Sequence, residues 1–367
     1  MERRVVFMGT PPFAVASLAA LVEAGIDVAA VVTATDKPAG RGKQVRMSAV
    51  KEYALAHPLL KDRILQPEKL KDPDLHARLD ETGASLYVVV AFRMLPEAVW
   101  GRPVLGTINL HASLLPDYRG AAPINWAIIN GEERTGVTTF FIRQEIDTGD
   151  LIASQETPIG QDETAGELHD RLMRMGASLI VSSVKEILDG TVTTTPQRAE
   201  SGTLRTAPKL TPENCRIDWQ RDAKAVHDHI RGLAPHPGAW SRLVIGDQPD
   251  QQFKILRSRI ADAVPNNAPG ATIRQGDRLI VSCGSGSIEA LEVQAEGGDA
   301  IVLAEQLDQV LGGEAGLVAD GEDETDGHGA VVEHQRERDG AALADDGDAP
   351  GEGIADHLIG PERDAIE

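Results

Sequence analysis

Runs of apolar residues alternate with amphipathic segments along the first half of the chain. The continuous apolar stretches predict buried strands at residues 4–8, 27–33, 85–91, 107–110, 137–143 and 151–159. Apolar residues at helical spacing predict helices between several of these strands, notably over residues 13–24 and 163–188. Apolar strands that alternate with amphipathic helices indicate a doubly wound α/β domain whose mostly parallel sheet is covered on both faces. In such domains ligands bind beyond the carboxyl ends of the strands.

The pattern changes in the second half of the chain. The segment 190–207 is rich in Thr, contains Gly and Pro and lacks helical periodicity, so we interpret it as a linker. Short alternating runs separated by turn residues then predict strands at residues 252–256, 271–273, 278–282 and 287–293, a pattern typical of a small OB-like β-barrel. We therefore predict a catalytic domain over 1–189, a linker over 190–207, a barrel domain over 208–300 and an acidic, disordered tail over 301–367.

The acidic residues are concentrated in that tail. The chain has a net charge of −21, and residues 296–367 carry 21 acidic residues against three arginines, which leaves a net charge of only −3 on residues 1–295. The near-balanced charge of the main body is compatible with a nucleic-acid partner that binds a local basic patch. Two origins fit the tail: a genuine disordered extension, or a disturbed reading frame or fusion that replaced the original ending.

Several classes of protein are disfavoured by the sequence. No apolar run approaches the roughly 20 residues of a membrane-spanning helix, and the short apolar stretch at the N-terminus leads into a Gly-Pro turn rather than a signal-peptide cleavage site. Cys215 and Cys283 lack metal-ligand spacing, which favours two free, buried thiols in a reducing cytosol. We expect a monomeric cytoplasmic protein without a metal ion.

The candidate chemistry lies between Gly106 and Asp150. Asn109 and His111 are two positions apart at the end of a predicted strand, so their side chains share one face of the sheet. Asp147 lies in a loop between two other strands. Each residue has an ordinary alternative, because such a histidine is more often structural and an Asp before Thr-Gly is more often a turn former. The combination is more specific than its parts.

The stretch NLHASLLPDYRGAAPINW, followed by TGVTTFFIRQEIDTGDLI, resembles the signature of the 10-formyltetrahydrofolate-dependent formyltransferases. That group includes enzymes that formylate glycinamide ribonucleotide, UDP-sugars and methionyl-tRNA. The loop Asp36–Lys43 is similar to the loop with which the tRNA branch contacts the acceptor end, and Asn214–Trp219 is similar to the start of its C-terminal barrel. The resemblance spans residues 3–295 and implies a Rossmann-like formyltransferase domain.

The resemblance also implies roles for individual residues. It implies a catalytic trio of Asn109, His111 and Asp147. It implies folate binding by Ser113, Leu114, Leu115 and Pro116, and tRNA contact by Lys37, Arg41 and Lys43. The implied reaction transfers the formyl group of 10-formyltetrahydrofolate to the α-amino group of initiator methionyl-tRNA, in support of translation initiation, and needs no metal.

The residue types suit that reaction. A free α-amino group has a pKa of ~7.7–8.0, which an ester lowers further, so the nucleophile needs little activation. Asn109 can donate to a developing oxyanion, His111 can do the same or carry a proton, and Asp147 can orient the imidazole. Two alternatives remain: a UDP-sugar formyltransferase, which shares the motif, and a noncatalytic RNA- or folate-binding module, which would not require the trio.

Two segments depart from the family pattern. Val89–Pro96, near the expected folate pocket, is one residue shorter than the commoner form. Glu296–Asp299 stands where the family's barrel usually ends in a basic turn. The first departure bears on the packing of the pterin, and the second could weaken RNA binding by charge repulsion.

Overall fold

The structure, a computed structural model, describes residues 3–39, 44–197, 204–245, 251–262, 267–295, 298, 300–303 and 330–331. The N-terminal half contains the strands β1 Arg4–Gly9, β2 Asp27–Val32, β3 Lys37–Ala39, β4 Gln44–Arg46, β5 Ile64–Leu65, β6 Leu86–Val90, β7 Thr107–His111, β8 Arg119–Gly120, β9 Arg134–Phe141 and β10 Leu151–Pro158. Its helices are α1 Pro12–Glu23, α2 Ala49–Ala56, α3 Pro73–Glu81, α4 Glu97–Trp100, α5 Pro123–Ile129 and α6 Ala165–Asp189.

Seven of these strands form one sheet in the order β10-β9-β7-β6-β1-β2-β5. The strands from β5 to β7 in that order are mutually parallel, whereas β9 runs antiparallel to β7 and β10 antiparallel to β9. The predicted mostly parallel sheet is thus confirmed. Strand β7 is the third strand in this order and the last of the parallel ones. Ligands of such folds bind beyond the carboxyl ends of the parallel strands, which include β7.

Both faces of the sheet are covered, as the apolar strands predict. In β1, Val5 and Phe7 pack into the core cluster that includes α1 and α6, while Val6 and Met8 pack into the cluster that includes α3 and α4. This alternation follows from the two-residue repeat of a strand. Helix α6 begins with a capping box between Thr164 and Glu167, which satisfies backbone donors of its first turn.

The C-terminal half is an antiparallel β domain, also as predicted. It contains β11 Thr206–Ala207, a 3-10 turn Glu213–Cys215, α7 Ala223–Leu233, β12 Ala239–Ile245, β13 Gln251–Ile260, β14 Thr272–Gln275, β15 Arg278–Ser282, β16 Ser287–Ala295, β17 Ala300–Val302 and β18 Ala330–Val331. The sheet order is β14-β15-β16-β13-β12-β18, with β17 paired to β16. The short β11 leaves this domain and pairs in parallel with β8 of the N-terminal half.

Helix α7, which the sequence patterns did not predict, joins the two halves through buried polar groups. Arg231 forms an ion pair with Asp228 at 2.7 Å and donates to the carbonyl oxygens of Gly160 and Glu163 at 3.1 and 3.0 Å. Gly232 lies so close to Ile129 of α5 that an added Cβ would stand 2.7 Å from its side chain. Buried polar contacts and close helix packing therefore fix α7 against the N-terminal half.

The predicted tail begins within an ordered part of the chain. Residues 300–302 pair with β16, and Leu303 is buried in the core of the β domain. Apart from 301–303 and 330–331, the tail predicted over 301–367 lies outside the described residues. Both cysteines are free and buried, as expected, and burial raises the pKa of Cys283 to about 12. No helix in the described part of the chain is long and apolar enough to cross a membrane.

Candidate active site

A cavity of about 720 Å³ opens at the carboxyl ends of β6 and β7. Asn109, His111 and Asp147 all line this cavity. Its volume lies in the range typical of sites for small molecules. The structure therefore brings together the three residues of the predicted trio, which come from a strand end and from a separate loop.

Strand geometry places the first two of these side chains. Asn109 is half-buried and His111 is 6% exposed, and both face the cavity from β7. Between them, the side chain of Leu110 packs against Gly176 of α6, where an added Cβ would lie 2.6 Å from a Leu110 methyl group. A residue larger than Gly at 176 would therefore press on the strand that carries the site.

A single hydrogen bond determines the tautomer of His111. Its Nε2 lies 2.8 Å from the carbonyl oxygen of Tyr118. Because a carbonyl oxygen can only accept, Nε2 carries the proton, and the lone pair of the neutral ring is on Nδ1. Nδ1 lies 3.8 Å from Oδ2 of Asp147. That distance is too long for a direct hydrogen bond but short enough for the carboxylate to stabilise an imidazolium.

Asp147 is held in an uncommon backbone conformation. Its φ is +54°, in the left-handed region that few residues other than Gly, Asn and Asp adopt. Its Oδ2 accepts a hydrogen bond from the backbone N–H of Gly120 at 3.0 Å. Gly149, two positions later, lies directly against the carbonyl oxygen of Phe141, which leaves no room for a Cβ. The Asp-Thr-Gly turn thus directs the carboxylate toward His111.

A second cavity, of about 570 Å³, adjoins the first. The two share Ile124, Asn125 and His169 among their lining residues. The second cavity runs between the start of α6 and the β domain, where Arg257 and His236 line it. A long substrate could therefore extend from the trio along the junction of the two halves.

The segment predicted to bind folate does not form part of the cavity wall. None of Ser113, Leu114, Leu115 and Pro116 is among the described residues that line the cavity. The Ser113 side chain is fully buried and donates to the carbonyl oxygen of Asp117 at 2.7 Å, while Thr138 donates to the Ser113 carbonyl at 2.7 Å. These contacts make the segment a support for the loop that follows His111.

The predicted tRNA loop is described only at its base. Lys37 is exposed in β3, which pairs with β4 in a two-stranded hairpin and sets Lys37 opposite Arg46. Arg41 and Lys43 lie outside the described residues. Asp36, at the start of the loop, accepts from Lys51 at 2.5 Å, and this hydrogen bond lowers the pKa of the Asp36 carboxyl.

Comparison with known proteins assigns the family. The formyl transferase family model matches residues 3–184, and the model of the formyl transferase C-terminal domain matches residues 209–309. A methionyl-tRNA formyltransferase of Bacteroides fragilis is 50% identical over 299 residues, which cover 81% of this chain and 91% of that protein. One of Flavobacterium johnsoniae is 46% identical over 311 residues, 84% of this chain and 97% of its own.

The chain belongs to the methionyl-tRNA formyltransferase family. It is a formyl-transferring enzyme. Solved structures agree with this family at the level of fold: HypX from Aquifex aeolicus, in complex with tetrahydrofolic acid, superposes with a TM-score of 0.58 at 19% identity, over 84% of this chain and 47% of HypX. An N-formyltransferase from Helicobacter canadensis, in complex with folinic acid and dTDP-3-aminofucose, superposes with a TM-score of 0.55 at 18% identity, over 80% of this chain and all of that one.

In this family member, two loops contribute apolar residues to the cavity wall. Phe92 and Met94 follow β6, and Ile146 follows β9; Met94 is 73% exposed and Ile146 56%. The family resemblance had marked the first loop through its shortened Val89–Pro96 segment. No sequence pattern marked the second loop beyond Asp147, because an exposed Ile in a charged loop has no distinctive signature. The described residues contain no group of three or more His, Cys, Asp or Glu side chains that could hold a metal ion.

Proposed function

We propose that this enzyme transfers the formyl group of 10-formyltetrahydrofolate to the α-amino group of initiator methionyl-tRNA, in the cytoplasm and as a monomer. The observation that carries the proposal is the convergence of Asn109, His111 and Asp147 on one cavity in a member of this family. An amide donor, an imidazole and a carboxylate are the groups that this acyl transfer needs.

The folate would occupy the cavity between the two apolar loops. Its volume of about 720 Å³ and its apolar wall of Phe92, Met94 and Ile146 suit a flat aromatic ring system, while the polar end holds the trio. Ser113–Pro116 would act indirectly, by supporting the loop that carries Tyr118. The bound folate supplies the activated formyl group on its N10.

The chain's own groups would handle charge and protons. The Asn109 amide donates to the formyl oxygen as negative charge develops on it. His111 accepts the proton of the attacking amine at Nδ1, since Nε2 is already committed to Tyr118. The carboxylate of Asp147 stabilises the imidazolium that results. The same proton then returns to the departing nitrogen as its bond to the formyl carbon breaks.

The tRNA would contact the β3–β4 hairpin and the junction of the two halves. Lys37 and Arg46 face each other across the hairpin, and like charges in such positions are unfavourable unless an anion lies between them. Phosphate groups of an acceptor stem supply such an anion. The groove lined by His236 and Arg257 adjoins the cavity of the trio at His169.

The decisive experiment offers two acceptors to the protein. It is incubated with 10-formyltetrahydrofolate and either charged initiator tRNA or a UDP-4-amino-sugar, and the products are identified by mass spectrometry. Formyl-methionine on the tRNA, without formylated sugar, is expected. Deletion of residues 38–43 should abolish the tRNA reaction. Formylation of the sugar alone would contradict the proposal, and so would folate binding without any transfer.

A further inference from the structure

The segment between the two domains runs alongside the catalytic trio. Its described parts, residues 190–197 and 204–207, contact the loop after His111 and the turn that carries Asp147. A linker that only tethered two domains would need no such contacts. These contacts indicate a further role for the segment.

Gln197 joins the two loops through one side chain. Its Nε2 donates to the carbonyl oxygens of Asp147 at 2.9 Å and Gly149 at 2.7 Å. Its Oε1 accepts from Arg119 Nη2 at 2.6 Å and from Nε at 3.2 Å. Because carbonyl groups only accept and a guanidinium only donates, this orientation of the amide is the one that satisfies all four contacts.

The turn at Asp147 depends on outside support. Asp147 has a φ of +54°, in the left-handed region, where a residue with a side chain is less stable than in the right-handed region. Gln197 binds the turn at both Asp147 and Gly149, on either side of Thr148. The same turn determines how far the carboxylate lies from His111 and whether it reaches the N–H of Gly120.

The far end of the linker supports the other loop. The carbonyl oxygen of Arg205 accepts from the N–H of Tyr118 at 2.7 Å, and the Arg205 guanidinium pairs with Glu132. Glu132 in turn accepts from the Tyr118 hydroxyl at 2.5 Å. Tyr118 is itself left-handed, with a φ of +60°, and its carbonyl fixes His111. Ala207 of the linker also pairs with Gly120, whose N–H donates to Asp147, so the linker holds the hydrogen-bond partners of both His111 and Asp147.

We infer that Gln197 is a positioning residue for the formyl transfer, which acts through the Asp147 turn. This inference rests on the proposed function, since it concerns the same reaction. Its consequence is that Gln197, although it lies between the two domains, is part of the catalytic framework.

The test compares two substitutions with a control in the same segment. Gln197→Met keeps the length of the side chain and removes every hydrogen bond, whereas Gln197→Glu keeps the acceptor for Arg119 and loses both donors. Thr193→Ala changes an exposed residue four positions away. Initiator tRNA formylation is measured under steady-state conditions, with the unmodified enzyme alongside. Both Gln197 variants should lower kcat by about 10²-fold, because a displacement near 1 Å has that effect. The KM for each substrate and the thermal midpoint should stay near those of Thr193→Ala.

A double-mutant cycle separates positioning from general damage. If Gln197 acts through Asp147, then Gln197→Met should cause no further loss in an Asp147→Ala background, measured in single turnovers with excess enzyme. An equal fold-loss in both backgrounds would overturn the inference, as would an unchanged kcat in both Gln197 variants. Failure of the unmodified enzyme to formylate tRNA would instead refute the proposed function, so the two failures are distinguishable.

Discussion

Nδ1 of His111 and Oδ2 of Asp147 lie 3.8 Å apart in the wall of the cavity. Neither side chain can easily close that gap, because the other ring nitrogen of His111 is bound to Tyr118 and the same Oδ2 of Asp147 is bound to Gly120. In the proposed mechanism, a fixed separation of this size keeps the imidazole lone pair accessible to the incoming amine. It also leaves the carboxylate close enough to stabilise the positive charge that the proposed proton transfer would create.

Asp147→Asn should isolate the contribution of that charge. Asn tolerates the left-handed backbone and retains an oxygen that can accept from Gly120, so the turn should persist. We expect kcat for tRNA formylation to fall by about 10²–10⁴-fold, while 5-formyltetrahydrofolate still binds in a fluorescence titration. Glu81→Gln, which alters an exposed carboxylate on α3, serves as the control. Full activity in Asp147→Asn would show that the imidazolium does not need the charge of Asp147.

Gly120→Ala should damage the fold and the site together. Gly120 has a φ of +126°, and an added Cβ would clash with the carbonyl oxygen of Ala207 in the paired strand β11. Gly25→Ala provides a matched control, since Gly25 has a φ of +75° and nothing within 4 Å of an added Cβ. We expect Gly25→Ala to cost about 1 kcal/mol in urea unfolding, and Gly120→Ala to cost more and to lose activity. Equal losses in the two variants would show that the clash with Ala207 relaxes without consequence.

That Asn109 and His111 would lie on one face at a strand end could be predicted, because it follows from strand periodicity. The apolar run before Asn109 and His111 marks a buried strand, and the two-residue repeat places both side chains on one face. Periodicity could not predict the hydrogen-bond partner of each side chain. The tautomer of His111 depends on the carbonyl of Tyr118, and the orientation of Asp147 depends on Gln197. Backbone atoms and distant side chains leave no pattern along the chain.

Helix α7 shows the converse limitation. Its buried face includes His227, Asp228, His229 and Arg231, so the polar residues hide the apolar repeat that would have indicated a helix. Asp228 and Arg231 pair with each other, and Arg231 and His227 also bind carbonyl oxygens of the N-terminal half. Nε2 of His229, by contrast, has no hydrogen-bond partner among the described residues. Charged residues in a sequence predict an exposed segment, and this prediction fails where the charges are paired inside an interface.

Arg231→Met should be strongly destabilising because it leaves a buried carboxylate behind. The side chains of Arg231 and Asp228 are only 6% and 5% exposed, and Lys224, the other partner of Asp228, is largely exposed. Breaking a buried pair in this way costs about 3–5 kcal/mol, and replacing both members by apolar residues is often nearly neutral. We therefore expect Asp228→Leu with Arg231→Met to recover much of the loss, as measured by urea unfolding.

The matched control for this pair is on the surface. Arg134→Met breaks the exposed ion pair between Arg134 and Glu156 on β9 and β10, and we expect a loss of at most about 1 kcal/mol. A similar small loss for Arg231→Met would mean that water or Lys224 compensates Asp228. The double variant would then show no recovery.

His229 should make the enzyme less stable in mild acid. Burial lowers the pKa of His229 to about 4 from an ordinary value of 6.5, because the charged ring is poorly solvated in the β domain. Between these two values the unfolded chain binds a proton that the folded chain does not, so stability rises with pH in that window and is lost as the pH falls from 6.5 to about 4. The expected contribution is about 3 kcal/mol. His227, whose pKa burial also lowers, acts in the same direction.

Urea unfolding of the unmodified protein and of His229→Leu at a series of pH values tests this expectation. Leu cannot take up a proton in the unfolded state, so the curve of unfolding free energy against pH should be flatter for the variant between pH 6.5 and 4. The carboxylates contribute equally to both proteins, and the difference between the curves therefore reports on His229 alone. Parallel curves across this window would mean that the folded protein admits the charged ring, through solvent entry or a local rearrangement around α7.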